Sequence, residues 1–247
     1  MNLLHILLTR SIQLHTYILV LIAITYILIH HYRYKPVIKT LDIYLNYIPV
    51  LTHEFGHILF NKISGGRAKD LVIIVSSKER ERSLQQGYAI TSSSSRLCQI
   101  STTLGGYVMP PIMLLVGLVT VTHHFPSLFI IIYIFIFLYY LILTSRKTAP
   151  LVTLFILIGL LYVIFKYQYD FFQINLISLA IHFILGVLFG EVIQSSYTIL
   201  RLTFSRQPID WDGAALRELT HIPIIFFTLI WLAINSYSLY VIYLYIV

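Results

Sequence analysis

The stretch LTHEFGHILF, residues 51–60, places two histidines and a glutamate inside an apolar run. His53 and His57 are four residues apart, so on a helix they share one face and can bind one zinc ion from the same side. Glu54 can then reach a water on that zinc, take its proton and deliver it to a leaving amine. This spacing is the H-E-x-x-H pattern of zinc hydrolases. The alternative is a chance grouping on a buried helix, which leaves Glu54 buried at a high free-energy cost.

The composition around this stretch indicates a membrane protein. Of the 247 residues, 58% are hydrophobic and 11% are charged, with a mean hydropathy of +0.83, whereas an average soluble domain is about 25% charged. Apolar runs close to the 20 or so residues that cross a bilayer recur along the chain. We therefore expect an all-α polytopic membrane protein of about seven transmembrane helices, forming a single domain over residues 1–247. The net charge of +7 lies in the connections. Because the sequence contains no long basic tail, nucleic-acid binding is not predicted.

The predicted spans are separated by short polar connections. They cover approximately residues 11–29, 43–63, 97–122, 127–144, 149–165, 174–202 and 213–247. The second span carries the histidine motif, and Gly65 is expected to end it. Pro36 is expected to break any helix in the connection before that span. Gly186 and Gly190 in the sixth span have the small-xxx-small spacing of helices in close contact.

Residues 66–96 form a polar stretch that follows the metal-binding helix. Two short apolar runs, Leu71 to Val75 and Tyr88 to Thr91, flank a charged loop at 78–82. This pattern predicts a small cytoplasmic β-hairpin beside the membrane, with a flexible loop as the alternative. A strand edge next to an active site can bind an extended peptide by main-chain hydrogen bonds. The candidate substrate-binding strand consists of Leu71, Val72, Ile73, Ile74 and Val75.

The distribution of basic residues predicts the orientation in the membrane. The segment 62–96 contains Lys62, Arg67, Lys69, Lys78, Arg80, Arg82 and Arg96, so the positive-inside rule places it in the cytoplasm. Alternation then places the basic residues at 146–147 and 201–217 inside as well. The connection 33–39 is an exception, because alternation places its three basic residues outside. We expect a bacterial-type cytoplasmic membrane with the active site toward the cytoplasm.

A catalytic zinc ion needs a third protein ligand from elsewhere in the chain. Because the histidine motif lies in the cytoplasmic half of its span, this ligand should come from a cytoplasmic helix end. Asp212 is the preferred candidate, since it begins the last span and Gly213 leaves room beside it. Asp210 and Glu191 are the alternatives. Asp212 could also be a simple helix N-cap that binds no metal.

Other residues that commonly bind metals have structural explanations. His123 and His124 are adjacent, so on a helix they point in different directions and make a poor ligand pair. His182 fits a packing histidine better than a ligand. Cys98 is the one cysteine of the chain, which excludes an intramolecular disulfide and a cysteine-rich zinc site.

Several short motifs together resemble the site-2 protease family of intramembrane zinc metallopeptidases, in its compact branch without a PDZ domain. They are the residues His53-Glu54-Phe55-Gly56-His57, Gly65-Gly66-Arg67, Gly105-Gly106-Tyr107, Asp212-Gly213-Ala214-Ala215-Leu216, Leu219-Thr220, Pro223 and Trp231. The resemblance covers roughly residues 45–120 and 205–235. It implies that His53, His57 and Asp212 bind zinc and that Glu54 is the general base. It also implies that the strand pair presents the substrate.

The sequence thus predicts a zinc metalloendopeptidase that hydrolyses peptide bonds at or within the bilayer near its cytoplasmic face. The expected substrate is a transmembrane or juxtamembrane segment of another membrane protein. One alternative is a non-catalytic protein that binds a partner helix and uses zinc as a structural pin. Another is a metal-ion transporter, which predicts further carboxylates or histidines along a path; outside the motif, the spans offer His182 and Glu191.

Overall fold

Helices make up most of the computed structural model, which describes residues 12–155, 170–207 and 209–246. In chain order the elements are α1 (Thr16–His31), α2 (Pro36–Leu45), α3 (Tyr47–Ile63), β1 (Arg67–Ile73), α4 (Ser77–Ser83), β2 (Gly87–Ser92), α5 (Arg96–Thr122), α6 (Pro126–Leu143), α7 (Asp170–Thr203), α8 (Asp212–Thr220) and α9 (Ile224–Ile246). Residues 148–155 are also helical. The predicted mostly helical fold with a small hairpin is confirmed.

Among the described residues, α5, α6, α7 and α9 are long and apolar enough to cross a membrane. The protein is therefore an integral membrane protein. Helix α1 is apolar but has 16 residues, which is fewer than the 20 or so that a perpendicular span needs. The expected number of seven spans is not confirmed. The predicted span at 149–165 lies mostly outside the described residues.

The predicted second span, 43–63, is part of two helices that meet at Asn46. Pro36 does not break a helix; it is the first residue of α2, a position where the missing N–H of proline costs nothing. Helix α3 then carries the histidine motif and ends before Gly65, whose φ of +86° fits a helix C-terminus.

The predicted last span, which was expected to start at Gly213, is also divided, because α8 ends at Thr220. His221 follows α8 with φ +61°, a left-handed conformation that terminates a helix. Pro223 cannot supply the N–H needed to continue it. The apolar membrane span therefore begins at Ile224, and α8 is a short, separate helix.

The hairpin forms as predicted, but its strands are shifted. Strands β1 and β2 pair antiparallel, with Arg67 opposite Ser92 and Ile73 opposite Gly87. Ile74 and Val75 were expected in the first strand and lie beyond its end, although Ile74 N–H still donates to the Gln86 carbonyl at 2.9 Å. The expected charged loop at 78–82 is the short helix α4.

Glycines set the closest helix contacts. A Cβ on Gly56 of α3 would lie 2.3 Å from the carbonyl oxygen of Gly105 on α5, so these two helices touch through their backbones. On α7, a Cβ at Gly186 would lie 2.6 Å from Ile22, and one at Gly190 would lie 2.7 Å from Tyr26, both on α1. The predicted helix contact at Gly186 and Gly190 is confirmed.

The connection 33–39 lies beside the hairpin and not on the other side of the membrane from it. Lys39 forms an ion pair with Glu81 of α4, and an Arg80 terminal nitrogen lies 3.9 Å from Asp42 Oδ2. The predicted placement of this connection opposite the hairpin is therefore wrong. The prediction counted residues 43–63 as one complete crossing of the membrane. In the structure this region is divided between α2 and α3, and the connection 33–39 and the hairpin are in contact.

Candidate metal centre

The two motif histidines project from neighbouring turns of α3. Their Nε2 atoms are 3.2 Å apart, as the spacing of four residues on a helix predicts. The side chain of His53 is 22% exposed and that of His57 is 11% exposed. The pair therefore lies in a partly buried site where two ring nitrogens converge.

Asp212 meets this pair from the first turn of α8. Its Oδ2 atom lies 3.5 Å from Nε2 of His53 and 3.5 Å from Nε2 of His57. Trp211 occupies the N-cap position and Asp212 is the first helical residue, so the carboxylate faces the imidazoles and does not cap the helix. No other group of three metal-binding side chains occurs among the described residues.

The spacing of the three donor atoms fits a tetrahedral zinc ion. Nitrogen and oxygen donors at about 2.0–2.1 Å from such an ion lie roughly 3.3–3.4 Å from one another. The separations here are 3.2, 3.5 and 3.5 Å. Two imidazoles and one carboxylate also leave a fourth position for a water or a substrate, as catalytic zinc sites do.

A backbone carbonyl orients His57 for metal binding. The Nδ1–H of His57 donates to the carbonyl oxygen of Thr102 on α5, at 2.8 Å. With the proton on Nδ1, Nε2 carries a free lone pair, and this atom faces His53 and Asp212. Such hydrogen bonds from metal-binding histidines fix the tautomer and the ring orientation.

Gly106 lets the backbone of α5 pass directly beside both imidazoles. A Cβ at this position would lie 2.5 Å from Cε1 and Nε2 of His57 and 2.7 Å from Nε2 of His53. These distances are far below van der Waals contact, so no larger residue fits without moving the histidines. Together with the Gly56–Gly105 contact, this glycine determines how close α3 and α5 can approach.

Glu54, the predicted general base, is buried and lies beside the hairpin. It is 8% exposed, and it is in electrostatic contact with His57 and Asp212. A Cβ on Gly87, the first residue of β2, would lie 3.2 Å from Glu54 Cγ and 2.9 Å from Val50 Cγ1. The start of β2 therefore packs directly against the helical turn that carries Glu54.

Aromatic rings close another side of the centre. The Tyr107 ring lies edge-on to His53, with 4.8 Å between the ring centroids, and its centroid is 5.0 Å from that of Trp231. Trp231 is fully buried, and its Nε1–H donates to the Leu104 carbonyl at 3.3 Å. These rings were not predicted to belong to the site; the sequence features that could have indicated them are Tyr107 directly after two glycines and a tryptophan within an apolar run.

The alternative ligands lie elsewhere. Glu191 accepts a hydrogen bond from the Tyr26 hydroxyl, and Asp210 is not part of the three-residue group. His182 packs as expected: its Nε2 accepts the backbone N–H of His15 at 2.8 Å, and its Nδ1 lies 2.7 Å from the Ser178 carbonyl. His123 and His124 form the turn before α6.

The sequence model of the family described as peptidase M50B-like matches residues 17–242. The chain belongs to this family. Membership confirms the resemblance to the site-2 proteases and supports a membrane metallopeptidase. No curated protein and no solved structure matches the chain.

Proposed function

We propose that this M50B-like protein is a zinc endopeptidase that cleaves a transmembrane or juxtamembrane segment of another membrane protein near the cytoplasmic face. The observation that carries the proposal is the triangle of His53, His57 and Asp212, with sides of 3.2, 3.5 and 3.5 Å. Glu54 follows the first of these ligands in the chain. Family membership supports the same chemistry.

Each residue has a separate role in the proposed reaction. His53, His57 and Asp212 hold the metal. When bound, zinc polarises the scissile carbonyl and makes a water more acidic. Glu54 takes the proton from the water and gives it to the leaving amine, which is general base and then general acid catalysis. Thr102 holds His57 in the tautomer that this arrangement requires.

We propose that the substrate pairs with the hairpin through β2. In β1, Leu71, Val72 and Ile73 are buried, and Asp70 of the same strand bonds Ser145. Strand β2 is partly exposed along its length, and its first residue packs against Glu54. An extended segment bound to this strand by main-chain hydrogen bonds would lie next to the general base.

Both alternative functions explain the structure less well. A structural zinc pin does not require Glu54, whose burial is costly. A cation transporter requires a path lined by acceptors. Around the buried Asp42, the cationic Arg80 lies within 3.9 Å of the carboxylate, and the exposed Arg33 is bonded to His30. These guanidinium groups would repel a metal ion.

Cleavage of membrane proteins tests the proposal directly. The parent and the Glu54→Gln variant are co-expressed with a panel of single-span membrane proteins tagged at both ends, and fragments are followed by immunoblot. We expect the variant to lose about a hundredfold or more in cleavage rate and to keep its zinc, measured by plasma mass spectrometry. Retained cleavage in Glu54→Gln would exclude this mechanism.

A further inference from the structure

A second group of buried polar side chains lies outside the metal centre. It joins α1, α2 and α7 to the hairpin. Tyr26 is 1% exposed, Asn46 is 2% exposed and Asp42 is 4% exposed. Burying ionisable groups at such positions in a membrane protein costs free energy, and such groups are usually functional. The proposed roles of the zinc ligands and of Glu54 do not account for this group.

Hydrogen bonds connect this group from α7 to α2. The Tyr26 hydroxyl contacts both Glu191 Oε2 and Asn46 Oδ1, the latter at 2.5 Å. Asn46 Nδ2 donates to Asp42 Oδ1 at 2.6 Å, which fixes the orientation of the amide. Since the hydroxyl has one proton, it can donate to only one of these two oxygens at a time.

Asp42 is the point where this chain of hydrogen bonds divides. His30 Nδ1–H donates to Asp42 Oδ1 at 2.9 Å, while Arg33 donates to Nε2 of the same imidazole at 2.7 Å. Arg80 approaches the other carboxylate oxygen at 3.9 Å. Asp42 therefore joins α1 and α2 to the helix at the tip of the hairpin.

Arg80 is the contribution of the hairpin to this group. Its side chain is 10% exposed, and its Nε–H donates to the Ile74 carbonyl at 2.6 Å. Neither of its terminal nitrogens has a hydrogen-bond partner among the described residues. Burial lowers the pKa of Arg80, and the charge of Asp42 opposes that shift. The ion pair with Asp42 thus holds a guanidinium that is otherwise desolvated.

One end of this connection adjoins the helix that carries Glu54, and the other lies in the hairpin that packs against that helix. Asn46 directly precedes α3, the helix that carries Glu54. The hairpin that Arg80 holds places Gly87 against Val50 and Glu54. A shift of the hairpin relative to Asn46 must therefore change the distance between β2 and Glu54.

We propose that Tyr26, Asp42 and Arg80 are positioning residues, which hold the hairpin against α3 so that Glu54 faces a bound substrate strand at a fixed distance. This inference rests on the proposed protease function. A displacement of about 1 Å far from the chemistry can cost around a hundredfold in rate, so a buried, directional connection has a larger effect on catalysis than on zinc binding.

The experiment compares Arg80→Met and Tyr26→Phe with the control Arg82→Met. Arg82 is an exposed residue on the same short helix as Arg80, so its substitution removes the same charge without touching the connection. For each purified protein, zinc content, kcat and KM on a cleaved membrane substrate, and amide hydrogen exchange of residues 47–54 and 87–92 are measured. Tyr26→Phe removes one hydroxyl and preserves shape, so it carries the test if Arg80→Met does not fold.

We expect Arg80→Met and Tyr26→Phe to keep full zinc and to lower kcat between about tenfold and a hundredfold, with KM little changed. Their amide exchange at 47–54 and 87–92 should be faster than in Arg82→Met. The variant that combines Arg80→Met with Tyr26→Phe should lose less kcat than the product of the two single losses, because both substitutions act on one connection. Equal exchange and equal kcat in all three variants would overturn the inference. If the parent cleaves nothing, the protease proposal fails, and the exchange comparison still decides whether this connection positions the hairpin.

Discussion

Gly106 lies on α5 where the backbone faces both imidazoles of the metal centre. Its neighbours illustrate how single residues shape this site: Thr102, one turn earlier, fixes the His57 ring, and Tyr107 covers His53. None of these residues supplies a proposed metal ligand from its side chain. Their effect on chemistry is exerted through the position and tautomer of the histidines.

Gly106→Ala should prevent tight metal binding. The added Cβ would lie 2.5 Å from the His57 ring, and both histidines would have to move apart. We expect at least a tenfold loss of zinc affinity, measured by competition with a fluorescent chelator. Gly117→Ala on the same helix is the control, because its Cβ would meet Leu185 and Phe129. That variant should lose about 1–3 kcal/mol of stability and keep its zinc.

Asp212 and Asp210 form a matched pair for testing the third ligand. Asp212 Oδ2 lies 3.5 Å from both imidazoles, while Asp210 is outside the group. Asp212→Ala should reduce the zinc content of the purified protein below half after dialysis against a chelator, whereas Asp210→Ala should match the parent. Equal zinc in the two variants would contradict the proposed ligand set.

At the scale of elements, helix packing depends on small residues, and the hairpin depends on the buried apolar face of β1 together with polar contacts. Helices α3 and α5 meet at Gly56 and Gly105, and α1 and α7 meet at Gly186 and Gly190. Backbone contacts of this kind are typical of helices in membranes, where apolar side chains gain little by leaving lipid. The hairpin is anchored by the buried side chains of Leu71, Val72 and Ile73, and exposed contacts of Asp70 with Ser145 and of Glu79 with Arg146 lie beside them.

Gly186→Leu should separate α1 from α7. A Cβ there would already lie 2.6 Å from Ile22, and overpacking of a tight contact costs about 1–3 kcal/mol. We expect a lower thermal midpoint in detergent, followed by the fluorescence of a thiol-reactive dye at Cys98, which is buried in the folded protein. Leu179→Ala is the control, because Leu179 on the same helix is 61% exposed; an equal loss in both variants would argue against this contact.

At the scale of the whole molecule, the connections that carry charge meet at the hairpin. Lys39 and Asp42 contact α4 from one side, and Arg146 contacts it from another. This arrangement removes the exception in the positive-inside count, because 33–39 lies next to the basic hairpin. We propose that this side faces the cytoplasm.

Cysteine labelling tests this orientation. In a Cys98→Ala background, single cysteines replace Lys35, Lys78 or His124, and a membrane-impermeant maleimide is added to intact cells or inverted vesicles. Cysteines at 35 and 78 should react in inverted vesicles, and the cysteine at 124, after the 27-residue helix α5, should react in intact cells. Labelling of 35 and 78 from opposite sides would contradict the contact between α2 and the hairpin.

The sequence alone determined the class of the protein, the metal motif and the hairpin. Hydropathy, the four-residue histidine spacing and β-branched runs are local properties, and a short window of residues expresses each of them. The position of Asp212 at a predicted cytoplasmic helix end made it the preferred third ligand, and the family resemblance implied the same residue. The catalytic role of the site residues remains a prediction.

The tertiary structure decided which distant groups meet. Among three candidate acids, it placed Asp212 beside the imidazoles and Glu191 beside Tyr26. It also placed Gly87 against Glu54 and Arg80 near Asp42, and it divided two predicted spans. Hydropathy measures the preference of a segment for lipid and contains no information about its neighbours. Those contacts depend on helix packing at glycines and on burial of polar groups that must find partners, and these are properties of the whole fold.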